Sequence, residues 1–411
     1  MPPFPLPLTD LLGHWGAYVV YLLIGIGFGA VLEMAGFGNS RKLAAQFYFS
    51  EQTVLKVMFS AIVVAMSLVF LTSALGLLDF NLVWVNPTYL WPGIVGGLIM
   101  GVGFIVGGFC PGTSLVAATT LKVDGIFFAL GTFFGVFAFG ETVGLFEDFF
   151  YSSYYGRVTL MDVFGLPAGV VVVLVVAMAL FMFWGAEQLE RIFGKRDLKL
   201  EPKWRYGAAA GLGALALAVM AVGQPTTEER LARLAPEMDR ALAERQVQIE
   251  PAELLGLMHN DRLNLIMFDV RSESDYNHFH LLDAEHVEAA EIGGTLARLQ
   301  MEPENTVVVV MSNRETASTE TWRILTAESV PNVYILGGGL NAWIATFSDA
   351  EFAADHPRQE AGDDELGYQF AAALGDRYPV AYPDPEKFDL DFEPKVTLST
   401  RRGPSGGGCG G

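Results

Sequence analysis

Two cysteines are the only thiols in 411 residues, and they stand in unlike surroundings. Cys110 lies in GGFCPGTS, directly before Pro111 and Gly112, with Thr113 and Ser114 following. Proline suits a first helical turn, and hydroxyl side chains are cap or donor residues, so the spacing predicts a helix that starts beside a sulfur. A buried cysteine is usually a small hydrophobe. At a helix amino terminus it is a polarised S–H donor or a stabilised thiolate. Cys409 sits instead in GGGCGG, behind Arg401, Arg402, Gly403, Pro404 and Ser405. Such a Gly/Ser coil lets one thiol enter narrow sites, and the stretch from Lys395 has a root-mean-square reach of ~20 Å. Two cysteines make no disulfide framework. The remaining polar groups suggest neither a metal site nor a cofactor: His278, His280 and His286 fall in a polar loop and read as solvated surface.

The elements around Cys110 repeat. An offset of 72 residues aligns Gly25, Gly29, Gly36, Phe37, Leu43 and Ala45 with Gly97, Gly101, Gly108, Phe109, Leu115 and Ala117. Each copy runs an apolar span into a Gly-Phe break, then a helix start, then a short helix of small residues. In the first copy Asn39 or Ser40 is the expected cap; in the second, Thr113 and Ser114. Helices broken in this way present free N–H groups and a positive dipole end, which together accept an anion without a buried positive charge. Gly36, Gly38, Asn39 and Ser40 in one copy, and Gly108, Cys110, Pro111, Gly112, Thr113 and Ser114 in the other, are therefore the candidate anion path. Glu33 and Glu141 are the carboxylates inside apolar spans, where a charge faces a cavity or a partner.

The chain carries a net charge of −20 although 52% of it is hydrophobic and mean hydropathy is +0.36. The conflict resolves by position: residues 1–223 hold 11 basic and 13 acidic side chains, whereas residues 224–411 hold 15 and 33. A nearly neutral apolar half precedes a strongly acidic one, which excludes a single globular domain and a nucleic-acid binder relying on positive charge. Six stretches approach the ~20 residues that cross a bilayer: 18–38, 54–75, 90–107, 125–146, 168–184 and 207–223. No basic region precedes the first, so it is expected to be a span and not a cleaved signal. Trp15, Trp84, Trp91, Trp184 and Trp204 fall at span ends, as interfacial indoles do. Ten basic residues (Arg41, Lys42, Lys56, Lys122, Arg191, Lys195, Arg196, Lys199, Lys203 and Arg205) fall on one side, and Arg157 alone on the other. The positive-inside rule then puts the amino terminus and everything after residue 223 outside, the periplasm in a bacterium-like cell.

After an amphipathic helix expected over 226–245, residues 250–352 alternate helix and strand. The runs 265–270, 307–311 and 332–336 suit strands of a parallel sheet. The expected organisation is a membrane domain over 1–223, a linker helix over 224–249, an α/β domain over 250–355 and an extended tail over 356–411.

Three resemblances attach to these motifs. Over roughly 18–223 the chain resembles the YeeE/YedE family of membrane sulfur-transport proteins, through AGFGNSRKLAA and GGFCPGTSLVA. That implies uptake of thiosulfate or a related sulfur anion, with Cys110 handing it on by S–H contacts. Gly38 stands where a second such cysteine would be, so no relay through several cysteines is available within these spans. FDVRSESDYNHFHLLDAEHV, TVVVVMSNRETAS and NVYILGGGLNAW resemble the rhodanese domain, with Asp269, Arg271, Tyr276, His280 and Ala284 matching its first motif and Gly338, Gly339 and Trp343 its last. An active rhodanese carries a cysteine in the loop here formed by Met311, Ser312, Asn313 and Arg314, so sulfurtransferase activity is not expected. The loop's N–H groups remain as an anion site. The GGCGG stretch resembles the swinging arm of the SoxY carrier, whose cysteine holds sulfur covalently in the periplasm. The combined expectation is a polytopic α-helical membrane domain followed by an α/β rhodanese-like domain. Its partners would be the lipid bilayer, a sulfur anion such as thiosulfate, and periplasmic sulfur-oxidising or sulfur-carrier proteins. A second reading keeps the spans as an anchor for a periplasmic sulfur carrier or sensor.

Overall fold

The computed structural model describes residues 3–195 and 203–398, which separate into two compact units between Gln224 and Pro225. Arg196, Lys199, Arg401, Arg402 and Cys409 lie outside the described residues.

In the first unit the helices in chain order are α1 (Leu8–Met34), α2 (Ser40–Ala45), α3 (Thr53–Ala74), α4 (Leu90–Gly107), α5 (Pro111–Thr119), α6 (Val123–Thr142), α7 (Glu147–Phe150), α8 (Leu160–Phe164), α9 (Ala168–Ile192) and α10 (Trp204–Val222). Six of the stretches are long and apolar enough to cross a membrane, α4 and α5 together forming one of them. The first begins at Leu8, well before Tyr18, and passes a non-helical Gly13. It stops at Met34 and not at Gly38, because Gly36 takes a φ of 83° that only glycine adopts without penalty. The fifth runs past Trp184 to Ile192, since its last turns continue as an amphipathic helix after the apolar run ends.

Helices α3, α9 and α10 pack around Val63, Phe70, Val172, Val176, Ala179, Ala216 and Val219. One carboxylate ties this bundle together. Glu190, fully buried near the end of α9, meets Lys56 Nζ at 2.7 Å through Oε2 and accepts the Gln52 N–H at 2.6 Å through Oε1. It thereby neutralises Lys56 and satisfies an N–H at the start of α3. Of the carboxylates expected to face a cavity or a partner, Glu33, also expected on the anion path, is half-exposed and pairs with Lys122, and Glu141 is exposed.

In the second unit follow α11 (Thr227–Ala243), β1 (Gln248–Ile249), α12 (Pro251–Met258), β2 (Asn264–Asp269), α13 (Glu273–His278), β3 (Ala284–His286), α14 (Leu296–Leu299), β4 (Thr306–Met311), α15 (Thr316–Ala327), β5 (Val333–Leu336), α16 (Gly339–Phe347) and α17 (Ala350–Asp355). The five strands form one all-parallel sheet in the order β1-β5-β4-β2-β3, with Asp269 paired to Met311 and Val310 to Ile335. Every residue of β4 is buried, as a central parallel strand requires. Strands β2, β4 and β5 fall on the expected runs. The edge strands β1 and β3 are two and three residues long and too short to carry a pattern.

The unit is larger than the 250–355 expected. Helix α11 starts at a capping box between Thr226 and Glu229. It is no free linker: Leu234 and Met238 are buried with Phe268, Val308, Val310 and Trp322 on one face of the sheet. On the other face Leu366, Tyr368, Tyr378 and Val380, from the stretch expected to be an extended tail, join Met311, Leu340 and Trp343. Apolar faces on these flanking segments had to find a partner, and the sheet supplies it.

Replacing Glu190 by alanine should leave Lys56 and the Gln52 N–H without their acceptor. The expected loss is about 3 kcal/mol, read as a lower unfolding midpoint in detergent. Glu141→Ala, at an exposed position, should leave the midpoint unchanged.

Candidate functional site

Helix α4 ends on Gly108, whose φ of 71° turns the chain sharply. Phe109, fully buried beside Phe128, pins the turn. Cys110 is then the N-cap of α5: its Sγ accepts the Thr113 N–H at 3.4 Å, and Thr113 Oγ1 accepts the Cys110 N–H at 2.9 Å. The Thr113 hydroxyl also lies 3.3 Å from the sulfur. Thr113 and Ser114, expected as nearby caps or hydroxyl donors, both act as hydroxyl donors here. The cap is the thiol, Thr113 closes the box, and Ser114 Oγ turns back to donate to the Pro111 carbonyl at 2.7 Å. Pro111 at the first helical position has no N–H to satisfy. Two donors of Thr113 thus converge on Sγ at the first turn of α5.

Cys110, Pro111, Gly112, Thr113 and Ser114 all line one cavity of about 650 Å³. Gly97, Gly101 and Phe104 of α4, Thr132 and Phe133 of α6, and Leu55 and Met58 of α3 close it. Among the described residues the lining holds no ionisable side chain except Cys110, and its other polar groups are Gln46, Thr113, Ser114 and Thr132. Thr132 and Gln46 were not singled out from the sequence. Thr132, a lone hydroxyl in the apolar run FFALGTFFG, was the available signal.

The first-copy break lies alongside and joins the lining only through Phe37 and Leu43. Gly36 mirrors Gly108 in its positive φ, and Phe37 mirrors Phe109 in its burial, both packing with Leu43, Val54 and Ala117. Asn39 Oδ1 accepts the Arg41 N–H at 3.1 Å and caps α2, while Ser40 Oγ donates to Asp124 Oδ2 at 2.8 Å. Glu33 pairs with Lys122 at 3.4 Å, and Gly38 sits against both charged ends. Glu33, Gly36, Gly38, Asn39 and Ser40 therefore form a charged knot joining α1, α2 and α6, and only Phe37 and Leu43 of this copy reach the cavity. The two copies touch at Gly108, where a β-carbon would lie 3.2 Å from Ser40 Cβ.

In the second unit the Met311–Arg314 loop follows β4. Met311 and Ser312 are fully buried, and Asn313 nearly so. Ser312 Oγ donates to Ser318 Oγ at 3.1 Å. His280 and His286, the bases that a serine nucleophile would need, donate instead to the Tyr276 and Arg271 carbonyls at 2.7 and 2.9 Å. The Arg314 N–H of the loop and the Ala317 N–H in the first turn of α15 both donate to the carboxylate of Asp364. Asp269 and Arg271 form a buried bidentate pair at 2.8 and 2.6 Å, and the guanidinium reaches Asn313 Oδ1 at 3.1 Å. Burial, reinforced by the Asp269 carboxylate, pushes the Tyr276 phenol above its ordinary value. It remains a hydroxyl donor to the Ala284 carbonyl. The motif residues thus buckle the loop to the sheet.

Residues 34–233 match the family described as Sulphur transport, and residues 250–346 match the family described as Rhodanese-like domain. No curated protein matches the chain. The cysteine-capped break and its cavity fall inside the first match, and the parallel sheet with its β4–α15 loop inside the second. Residues 34–233 are accordingly similar to the sulphur transport family, in one chain with a stretch similar to the rhodanese-like domain.

Proposed function

We propose that this protein carries thiosulfate, or a related sulfur anion, across the bacterial inner membrane through the cavity capped by Cys110. The observation that carries this reading is the convergence of the Thr113 N–H and hydroxyl on a sulfur that itself lines the cavity. An anion there meets the S–H of Cys110 and no fixed positive charge. Such a site binds weakly enough to release its cargo, as conduction demands. The amino terminus and the acidic unit face the periplasm in this reading, supported by ten basic loop residues on the opposite side against one. The rhodanese-like unit is silent as a sulfurtransferase, since its loop offers Met311 and Ser312 in place of a thiolate. Cys409 serves as the sulfur-bearing arm that exchanges with periplasmic carrier or oxidising proteins.

Cys110→Ser tests the transport step cleanly, because serine is a preferred N-cap and keeps the start of α5. Proteoliposomes with this variant should lose accumulation of radiolabelled thiosulfate, at least tenfold, at unchanged protein content. Normal uptake would remove the thiol from the path. Gly38, standing where a second cysteine would complete a relay, favours the anchor reading. Wild-type proteoliposomes that accumulate no sulfur anion would select it.

The arm has its own readout. In protein purified from cells grown on thiosulfate, the peptide containing Cys409 should carry the added mass of bound sulfur, and Cys409→Ser should lose it without lowering uptake in proteoliposomes. Thiosulfate:cyanide transfer present in the wild type and absent from Cys409→Ser would instead make the arm a nucleophile and the protein an enzyme.

A further inference from the structure

The cavity beside Cys110 has few polar hydrogens, and its hydroxyls have already committed theirs. Thr113 shares its one hydroxyl hydrogen between the Cys110 carbonyl at 3.2 Å and the sulfur at 3.3 Å. Ser114 Oγ donates to the Pro111 carbonyl at 2.7 Å, and Thr132 Oγ1 to the Phe128 carbonyl at 3.1 Å. A hydroxyl has a single hydrogen to give, so these three offer an anion nothing further. Gln46 is the remaining polar residue of the lining. Its side chain is half-buried, and among the described residues its amide makes no hydrogen bond. The chain that carries it is nonetheless fixed. The Gln46 carbonyl accepts from Gln52 Nε2 at 2.9 Å and from the Phe49 N–H at 3.1 Å. Gln52 is buried and gives its own N–H to Glu190 at 2.6 Å, so the carboxylate that ties α3 to α9 also steadies the turn after α2. Phe47 packs edge-on against the wall residue Phe104 at 5.3 Å. The charged neighbours Lys42 and Glu51 face each other at 3.9 Å, and neither lines the cavity.

We propose that the Gln46 amide is a cargo contact of this cavity, donating to an oxygen of the anion that passes Cys110. The identity of that anion, thiosulfate or a related sulfur oxyanion, rests on the transport reading, whereas the contact itself is read by binding alone. An anion entering an apolar cavity loses its water and needs donors in exchange. A primary amide supplies two N–H groups and no charge. A hydrogen bond to a charged group is one of the stronger kinds, yet a neutral donor leaves the anion able to move on, where a lysine or arginine would trap it. Gln46 is suited to the task because its backbone is held by Gln52 while its amide is not spent on the protein.

The test uses the full chain in detergent and radiolabelled thiosulfate. The wild type should bind it saturably. Gln46→Leu, which removes both donors, should raise the dissociation constant about tenfold or more, as the loss of a hydrogen bond to a charged group does. Gln46→Glu keeps the side-chain shape, puts a carboxylate where the amide was and should abolish binding; it decides the matter if the leucine variant does not fold. In proteoliposomes Gln46→Leu should raise the KM for uptake by the same factor and leave the rate at saturation little changed, a split that a merely structural residue would not produce. Absence of saturable binding in the wild type, or binding by a folded variant as tight as the wild type's, would overturn the proposal. Uptake that is equal in wild type and Gln46→Leu would overturn it too, with the transport reading intact. Binding that depends on Gln46 in a protein that accumulates no thiosulfate would uphold the contact and end the transport reading instead.

Discussion

Inside a bilayer every backbone N–H and C=O must find its partner within the protein, because hydrocarbon offers none. A span that breaks midway therefore has to carry its own caps, and the membrane unit is arranged around that demand. At the second break Gly108 N–H returns to the Phe104 carbonyl, Cys110 N–H goes to Thr113 Oγ1, Thr113 N–H to the sulfur and Ser114 N–H to the Cys110 carbonyl. Pro111 brings no N–H at all. The partners all come from within a few residues, so the break stands without borrowing charge, and the adjoining walls stay apolar. A thiol in this position is both a cap and a reactive or polarisable group facing open space. The chemistry proposed for the site follows from the way the break is satisfied.

The first break meets the same demand with charge. Its glycine takes the same left-handed turn, but Asn39 caps α2, Ser40 reaches Asp124, and Lys122 answers Glu33. Lys42 Nζ closes the knot on the Ala35 carbonyl at 3.0 Å. The two copies thus keep one backbone plan and differ in side-chain chemistry. One fastens helices together while the other opens on a cavity.

What could be read from the sequence divides along physical lines. Gly-Phe breaks and apolar spans are local signals: a positive φ demands glycine, and a bilayer demands about 20 apolar residues. Cys110, Pro111, Gly112, Thr113 and Ser114 were legible as one group because a helix start is written in consecutive residues. Glu190 was not, since it lies past the apolar run of α9 and its partners Gln52 and Lys56 are far away in sequence. Likewise Asp364 is one carboxylate in an acidic stretch, with no period or flanking motif to mark it, and only the folded chain brings it to Arg314 and Ala317. Strands β1 and β3 escaped for a third reason: two or three residues cannot display an alternation. Long-range pairing, more than unusual chemistry, separates what was legible from what was not.

Both units of this chain place a polar group at the start of a helix, and the difference between the two groups is instructive. Asp364 brings a full negative charge and two oxygens to two N–H groups at 2.5 and 2.7 Å, a charge-assisted arrangement of the strong kind. A neutral diffusing ligand has little to offer against it, and a charged one must displace a group that is tethered. Cys110 brings a weak acceptor at 3.4 Å that ordinarily carries no charge. The start of α5 lies beside a cavity whose lining, among the described residues, holds no other ionisable side chain. The same backbone device holds a tethered carboxylate in the acidic unit and a thiol beside a cavity in the membrane unit. The path proposed for the anion accordingly runs past the thiol-capped helix and not past the carboxylate-filled one.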